Sequence, residues 1–360
     1  MIRISVQNAQ LGMTLARAVY DSTGKLVLSN NTVLDMSHLP LLERLDVRGI
    51  IVQDPRVDDV IIVPLISEDV EAQAVRQLHY IMDADYGNLP EYVKVDMVRV
   101  EHIVKDMLQG LYSTLFGEMS IEGCISAANY EYFHPVKATG LAMMIGKELG
   151  FSKHDMSNLG KACLLQNIGY TLLSKEVIMS CKPDKEANFP DYIKHPELGY
   201  RIIGQNKDID KSVPEGIAAH HERWSGTGFP RGLKGDKIPL FGRIISLAST
   251  FHALVSRRHG EPPFSPPEAA EYIVAYSGEY FDPDLVQIFL KNAPLYPKGV
   301  MVKLNTGESG IVVETNVGYI GRPRIRICLD RNNRRVESPY ELDLTQPEFQ
   351  SQMITEILYY

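Results

Sequence analysis

A mainly α-helical body carried between two small β-containing modules is the fold the sequence predicts, and three changes of texture along its 360 residues predict it. Residues 1–65 mix short β-runs with turns and one short helix, an α+β module. Residues 66–294 place apolar side chains at three- and four-residue intervals, first in connecting helices over 66–119 and then in a larger domain over 120–294. Residues 295–360 return to strand-like alternation and predict a small β-barrel or half-barrel of about four strands.

Within the first module, "TLARAVYDSTGKLVLSNNTVL" reads as two β-runs joined at Asp21-Ser22-Thr23-Gly24, a turn composition. "MSHLPLLERLDVRG" predicts a short helix stopped by Gly49, and "IIVQD" a further strand. The two connecting segments, "ISEDVEAQAVRQLHYIMDADY" and "YVKVDMVRVEHIVKDMLQGLYSTLF", carry apolar stripes. Such stripes predict either a homodimer paired through residues 66–120 or helices folded back on the chain's own helical domain. "YFHPVKATGLAMMIGKELGF" and "DMSNLGKACLLQNIGYTLL" continue the helical pattern, and "IPLFGRIISLASTFHALVSR" reads as a buried core helix. "GEPPFSPPEAAEYI" is a loop opening another helix, with Ser265 at the N-cap and Pro266 and Pro267 in the first turn. The tail strands "VMVKLNTGESGIVVETN" and "RPRIRICLDRNNRRV" surround Gly-containing and Asn-rich turns.

Composition bounds the function. A formal net charge of -8 argues against nucleic acid or an anionic membrane as the main partner. No apolar run approaches the roughly 20 residues of a membrane span, and the N-terminus lacks the apolar core of a signal peptide. Cys124, Cys163, Cys181 and Cys328 lie without CxxC spacing, which fits a reducing cytosol. The expectation is a cytoplasmic protein.

Histidines supply the chemistry. His134 opens an amphipathic helix, His195 sits in "KHPELGYRII", and His220 and His221 are adjacent at the end of an apolar helix. Imidazole is a ligand of zinc, iron and manganese, so the four form a metal constellation. His134 also reads as a satisfied core or surface residue, and His195, before Pro196, as a helix start. Inside the helical texture, "LLQNIGY" places Gln166 and Asn167 among apolar neighbours, where an amide is costly unless it is hydrogen-bonded.

The order His134, "ACLLQNIG", "HPELGYRII", "HHERWSGTGFPRGLKGDKIPLFGRII" resembles the HD-GYP family of cyclic-di-GMP phosphodiesterases over roughly residues 120–294, with Gly228-Phe229-Pro230 standing for Gly-Tyr-Pro. "FDPDLVQIF" fits the family's last helix. The resemblance implies an HD-domain helical bundle with added helices. It also implies departures. Gln166-Asn167 stands where the family has His-Asp, Tyr170 where it has Lys, and Ser249 and His252 where it has Asp. Ser225 replaces the Asp of the Gly-Tyr-Pro loop, and Tyr130 an acidic residue that some members carry.

Hydrolysis in the family resembles two-metal phosphodiester cleavage. Two divalent ions about 4 Å apart repel by on the order of 15 kcal/mol at an effective dielectric near 20, which a bridging carboxylate and hydroxide offset. Asn167 is neutral and cannot replace that carboxylate. By resemblance the first metal position keeps only His134, while the second keeps His195, His220 and His221, enough for one ion. No catalytic residue is expected among the degenerate positions Gln166, Asn167, Tyr170 and Ser249. The cofactor expected is at most one divalent transition metal (Zn, Fe or Mn), or none. Arg258 matches a family arginine associated with ligand contact. Arg257, Lys234 and Arg231 add positive charge, and all four also read as solvated loop cations. The reading is a catalytically impaired regulator or scaffold that binds cyclic-di-GMP or a protein partner. The alternatives are a residual single-metal phosphodiesterase and a purely structural interaction module.

Overall fold

The computed structural model describes residues 1–360 except 22, 46, 48, 85–90, 92, 114–118, 121–129, 181–188, 257–262, 294, 317, 359 and 360. Chain order begins with β1 (Ile2–Ser5), the hairpin β2 (Val19–Tyr20) and β3 (Leu26–Leu28), α1 (His38–Arg44), and β4 (Gly49–Val52), which returns antiparallel to β1. The hairpin turns where its composition predicts: Asp21 Oδ1 accepts the backbone N–H groups of Thr23 and Lys25, and Gly24 takes the left-handed conformation at φ 76°. Gly49 does not stop α1. The helix ends at Arg44, and Gly49 opens β4. Leu15, Leu34, Leu42, Ile50 and Val52 form the core of this module.

β5 (Val63–Pro64) leads into α2 (Glu68–Met82) and α3 (Met97–Ser113), and β6 (Met119–Ser120) pairs parallel with β5. The apolar stripes of α2 and α3 are not exposed. Val75, Leu78 and Ile81 of α2, and Val100, Val104, Met107 and Leu111 of α3, are buried in the same core as the main helical body. The stripe on which the pairing of two copies through residues 66–120 rested is therefore covered from within. A Cβ on Gly160 would stand 2.7 Å from Val104, so α3 lies directly on the helix that carries Gly160.

That body consists of α4 (Tyr130–Glu148), α5 (Lys153–Leu164), α6 (Lys175–Ser180), α7 (His195–Gly204), α8 (Ser212–Ala219), α9 (Leu240–Val255), α10 (Pro266–Ala275) and α11 (Pro283–Asn292). α4 is buried on every side over most of its length, the pattern of a central helix. α5 stops at Leu164, so Gln166 and Asn167 occupy a turn before a 3-10 turn over Ile168–Leu172, not the helix their surroundings suggest. Ser265 caps α10, with its hydroxyl on the Glu268 N–H and the Glu268 carboxylate back on the Ser265 N–H.

The C-terminal module has one strand more than expected. β7 (Met301–Leu304), β8 (Ser309–Glu314), β9 (Arg324–Leu329), β10 (Arg335–Asp343) and β11 (Ile354–Leu358) form an antiparallel sheet in the order β10-β9-β8-β7-β11. β11 closes the edge beside β7. The two terminal modules also touch. Val57 and Val60 pack with Met301, Ile311 and Cys328, and both terminal nitrogens of Arg326 reach Asp59 at 2.6 Å.

Candidate metal centre

The site is built where three helix ends converge. His195 is the first residue of α7, and α8 ends at Ala219, so His220 and His221 leave the helix together. The 3-10 turn after Asn167 comes close enough to α7 that a Cβ on Gly169 would stand 2.0 Å from the His195 carbonyl oxygen. Only glycine fits there. That approach lays the Tyr170 ring 4.7 Å from the His195 ring.

The three imidazoles form a group whose ligand atoms all lie within 4.8 Å of one another. His195 and His220 are buried. Nδ1 of His195 lies 2.7 Å from the Tyr192 carbonyl oxygen and Nδ1 of His220 lies 2.7 Å from that of Ile217. Carbonyl oxygens only accept, so each Nδ1 carries a hydrogen, and in the neutral ring the lone pair lies on Nε2. Those two Nε2 atoms stand 3.2 Å apart. Two facing lone pairs at that distance repel unless a cation lies against them. A proton could serve, but burial pushes His220 down to about 4 and disfavours it. The arrangement fits a metal ion: three imidazoles close together, two of them oriented by backbone carbonyls. His221, half-exposed, stacks on Phe229 of the Gly-Phe-Pro stretch with ring centroids 4.5 Å apart.

His134 is elsewhere and in different company. Its Nδ1 lies 2.8 Å from the Tyr130 hydroxyl and 2.9 Å from Nδ1 of His252, and its Nε2 lies 3.1 Å from Ser249 Oγ. His252 Nε2 in turn meets Ser256 Oγ at 3.0 Å. With the hydrogen on His134 Nδ1, His252 accepts it, Ser249 donates to His134 Nε2, and His252 donates to Ser256. In this arrangement both rings find hydrogen-bond partners without a cation. Burial, with the charge of Lys137 adding to it, pushes His252 down to about 3 and keeps it neutral. Tyr130, Ser249 and His252 thus close together around His134, which the structure does not bring into the three-histidine group.

Gln166 is fully buried. Its amide nitrogen meets only the Cys163 sulfur, at 3.9 Å, and its Oε1 has no hydrogen-bond partner. Asn167 is buried beside it, without a side-chain cap on the following turn. Tyr170 is tied to Tyr192 through their hydroxyls at 2.6 Å, an apolar wall where a lysine would put charge. Of the expected ligand-contacting cations, Arg231 is exposed and paired with Glu197 at 3.1 Å, and Lys234 is exposed. Arg257 and Arg258 lie outside the described residues.

Glu222, which the sequence places directly beside the paired histidines, and Tyr192, to which it gives no role, also shape the site. Glu222 is buried and accepts the backbone N–H groups of Arg231 and Leu233, pinning the loop that carries Phe229. Burial raises its pKa against those two bonds. Its position directly after the paired histidines was the available signal. Tyr192 had none, because its contacts with Tyr170 and His195 depend on the fold.

Comparison with known proteins matches residues 105–285 to the HD domain family and residues 301–356 to a KOW domain associated with HD domain. A cyclic di-GMP phosphodiesterase of Pseudomonas aeruginosa is 28% identical over 207 residues, 57% of this chain and 49% of that protein. One of Thermotoga maritima is 33% identical over 44% of this chain and 43% of its own length. A 3'3'-cGAMP-specific phosphodiesterase of Vibrio cholerae is 32% identical over 40% of this chain and 28% of that protein. The matched stretches thus span about half or less of these curated relatives. No helix among the described residues is long and apolar enough to cross a membrane.

Proposed function

The chain belongs to the HD domain family, and we propose that within it this protein is a catalytically impaired, HD-GYP-like regulator or scaffold. It works in cyclic-di-GMP-related signalling by binding ligand or partner. One divalent transition metal at most is held, by His195, His220 and His221. The observation that carries the reading is the contrast between the two halves of the site. Two Nε2 atoms facing each other at 3.2 Å within a three-histidine group offer ligands to a cation in one half, while His134 is held by hydrogen bonds to Tyr130, Ser249 and His252 in the other. A bound ion would supply Lewis acidity toward a phosphate oxygen. The chain's own residues orient it: Tyr192 and Ile217 fix the imidazole tautomers, Phe229 holds His221 by stacking, and Tyr170 and Tyr192 wall the site against water. No carboxylate in this set can bridge two ions, and no lysine can neutralise a developing charge. The relatives named as phosphodiesterases support cyclic-di-GMP as the ligand class.

Elemental analysis of purified protein, run beside hydrolysis assays with cyclic-di-GMP and its linear dinucleotide, tests the proposal. Expected are at most one metal per chain, lost on His195→Ala, and hydrolysis that is absent or very slow. Two stoichiometric metals, or turnover near about 1 per second, would show a working phosphodiesterase instead. Slow hydrolysis that needs the one metal would favour the single-metal enzyme, for which the three-imidazole cluster is the supporting observation.

A further inference from the structure

We propose that Arg223 reads a guanine base: its guanidinium donates to the O6 and N7 acceptors of one base of a cyclic dinucleotide whose phosphate meets the three-histidine group. This rests on the assignment, made above, of a cyclic dinucleotide as the ligand of that group.

Arg223 follows the paired histidines by two positions. Burial alternates across the stretch: His221 is half-exposed, Glu222 buried and Arg223 half-exposed. Glu222 turns inward and the two residues beside it turn outward. The backbone of Gly228 lies directly against them, since a Cβ there would collide with the Arg223 nitrogen and the His221 carbonyl oxygen. His221 and Arg223 therefore stand side by side next to the loop that carries Phe229.

The Arg223 cation is held in place but not neutralised. Its guanidinium carbon lies over the Tyr280 ring, 3.8 Å from the centroid, and Tyr280 stacks on Tyr276 at 4.3 Å. The Trp224 N–H donates to the Tyr280 carbonyl oxygen and the Ser225 N–H to that of Glu279, which fastens the two segments together. Among the described residues, none accepts a hydrogen bond from the Arg223 guanidinium or forms an ion pair with it. The neighbouring acid, Glu222, is already occupied by the N–H groups of Arg231 and Leu233.

A planar fork of donors, held by a ring and left without acceptors, matches a pair of acceptors on a ligand. A phosphate offers such a pair, and so does guanine through O6 and N7. With the phosphate directed to the three histidines, the fork is left for the base. Adenine presents an N6 donor beside N7, so the same fork meets a donor and is repelled. Arg223 thus selects guanine over adenine in ligands whose phosphates are alike.

Titration calorimetry on the full chain with cyclic-di-GMP and cyclic-di-AMP tests this, with metal content measured on each sample. The parent should bind cyclic-di-GMP about tenfold or more tightly than cyclic-di-AMP. Arg223→Lys keeps the charge and loses the fork. It and Arg223→Met should each weaken cyclic-di-GMP by about tenfold, leave cyclic-di-AMP within about twofold, and leave metal content unchanged. Tyr280→Leu, which removes the ring beneath the cation, should weaken cyclic-di-GMP to a smaller degree. A parent without preference overturns the proposal, and so does equal weakening of both ligands by Arg223→Met, the mark of a phosphate contact or a structural role. Unchanged cyclic-di-GMP binding in both Arg223 variants sinks it while leaving the cyclic dinucleotide as the ligand. A parent that binds neither dinucleotide removes that ligand, and the role of Arg223 with it.

Discussion

Around His134, three residues that look independent in the sequence act as one. Tyr130, Ser249 and His252 reach the same imidazole, and together they satisfy it without charge. Rebuilding the metal position that the family resemblance assigns to His134, Gln166, Asn167 and Ser249 should be cooperative, because no single change supplies a full ligand set. Gln166→His, Asn167→Asp and Ser249→Asp combined should raise metal content by more than the three single changes summed, read by elemental analysis of each variant. Additive single effects would show that the positions act separately. His252 gives a second test. Its pKa falls from an ordinary value near 6.5 to about 3 on folding, so the unfolded chain binds that proton better. Stability then rises with pH between those values and is lost as pH drops below about 6.5. His252→Gln keeps hydrogen-bonding capacity without titrating. Between about pH 7.5 and pH 5 it should lose less stability than the parent by on the order of 2 kcal/mol. Urea unfolding at both pH values measures the difference, and parallel losses in the two proteins would refute it.

At the scale of the elements, α2 is fastened to α4 by a charge pair with almost no solvent around it. Lys137 and Glu71 have side-chain exposures of 5% and 10%, low enough that removing one partner strands the other. Lys137→Met should therefore cost about 3–5 kcal/mol, whereas Lys137→Met with Glu71→Leu should cost much less than the two single changes summed. Denaturant unfolding of the four proteins closes this cycle, and additive losses would mean that Glu71 finds water or another donor. The pair also explains why α2 buries an acidic residue beside apolar ones. Val75, Leu78 and Ile81 bury against the body while Glu71 meets the one lysine α4 offers there.

Across the whole molecule, the connecting helices and both end modules behave as parts of one packed body. α2 and α3 share their core with α4 and α5, and Arg326 on the C-terminal sheet holds Asp59 of the N-terminal segment. A fragment of residues 120–360 would expose the faces of α4 and α5 that those helices cover. It should lose near-ultraviolet dichroism, bind an apolar dye and associate at tens of micromolar, a scale on which exposed apolar patches drive association. Light scattering and dye fluorescence on the fragment and the full chain check this. A fragment that stays monomeric, dye-free and cooperatively folded would show that α2 and α3 are dispensable.

Much of this was legible in the residues themselves. Helical periodicity marked the body, Asp21 and Gly24 the first turn and Ser265 a helix start, because each depends on neighbours within a few positions. The adjacency of His220 and His221 at a helix end is also local, whereas it is the fold that brings His195 to them in a group able to hold a metal ion. Other features needed partners far along the chain. An apolar stripe on α2 or α3 has the same sequence whether a second copy or α4 covers it, and only the three-dimensional path of the chain chose α4 and α5. The helix expected through Gln166 and Asn167 broke at Leu164, because the following turn must bring Gly169 against His195. His134 and His252 stand 118 positions apart, yet their Nδ1 atoms share one hydrogen. Sequence spacing carries no information about such a contact. Periodicity and capping are short-range and written locally, whereas the closing of a site by long-range hydrogen bonds exists only once the core has packed.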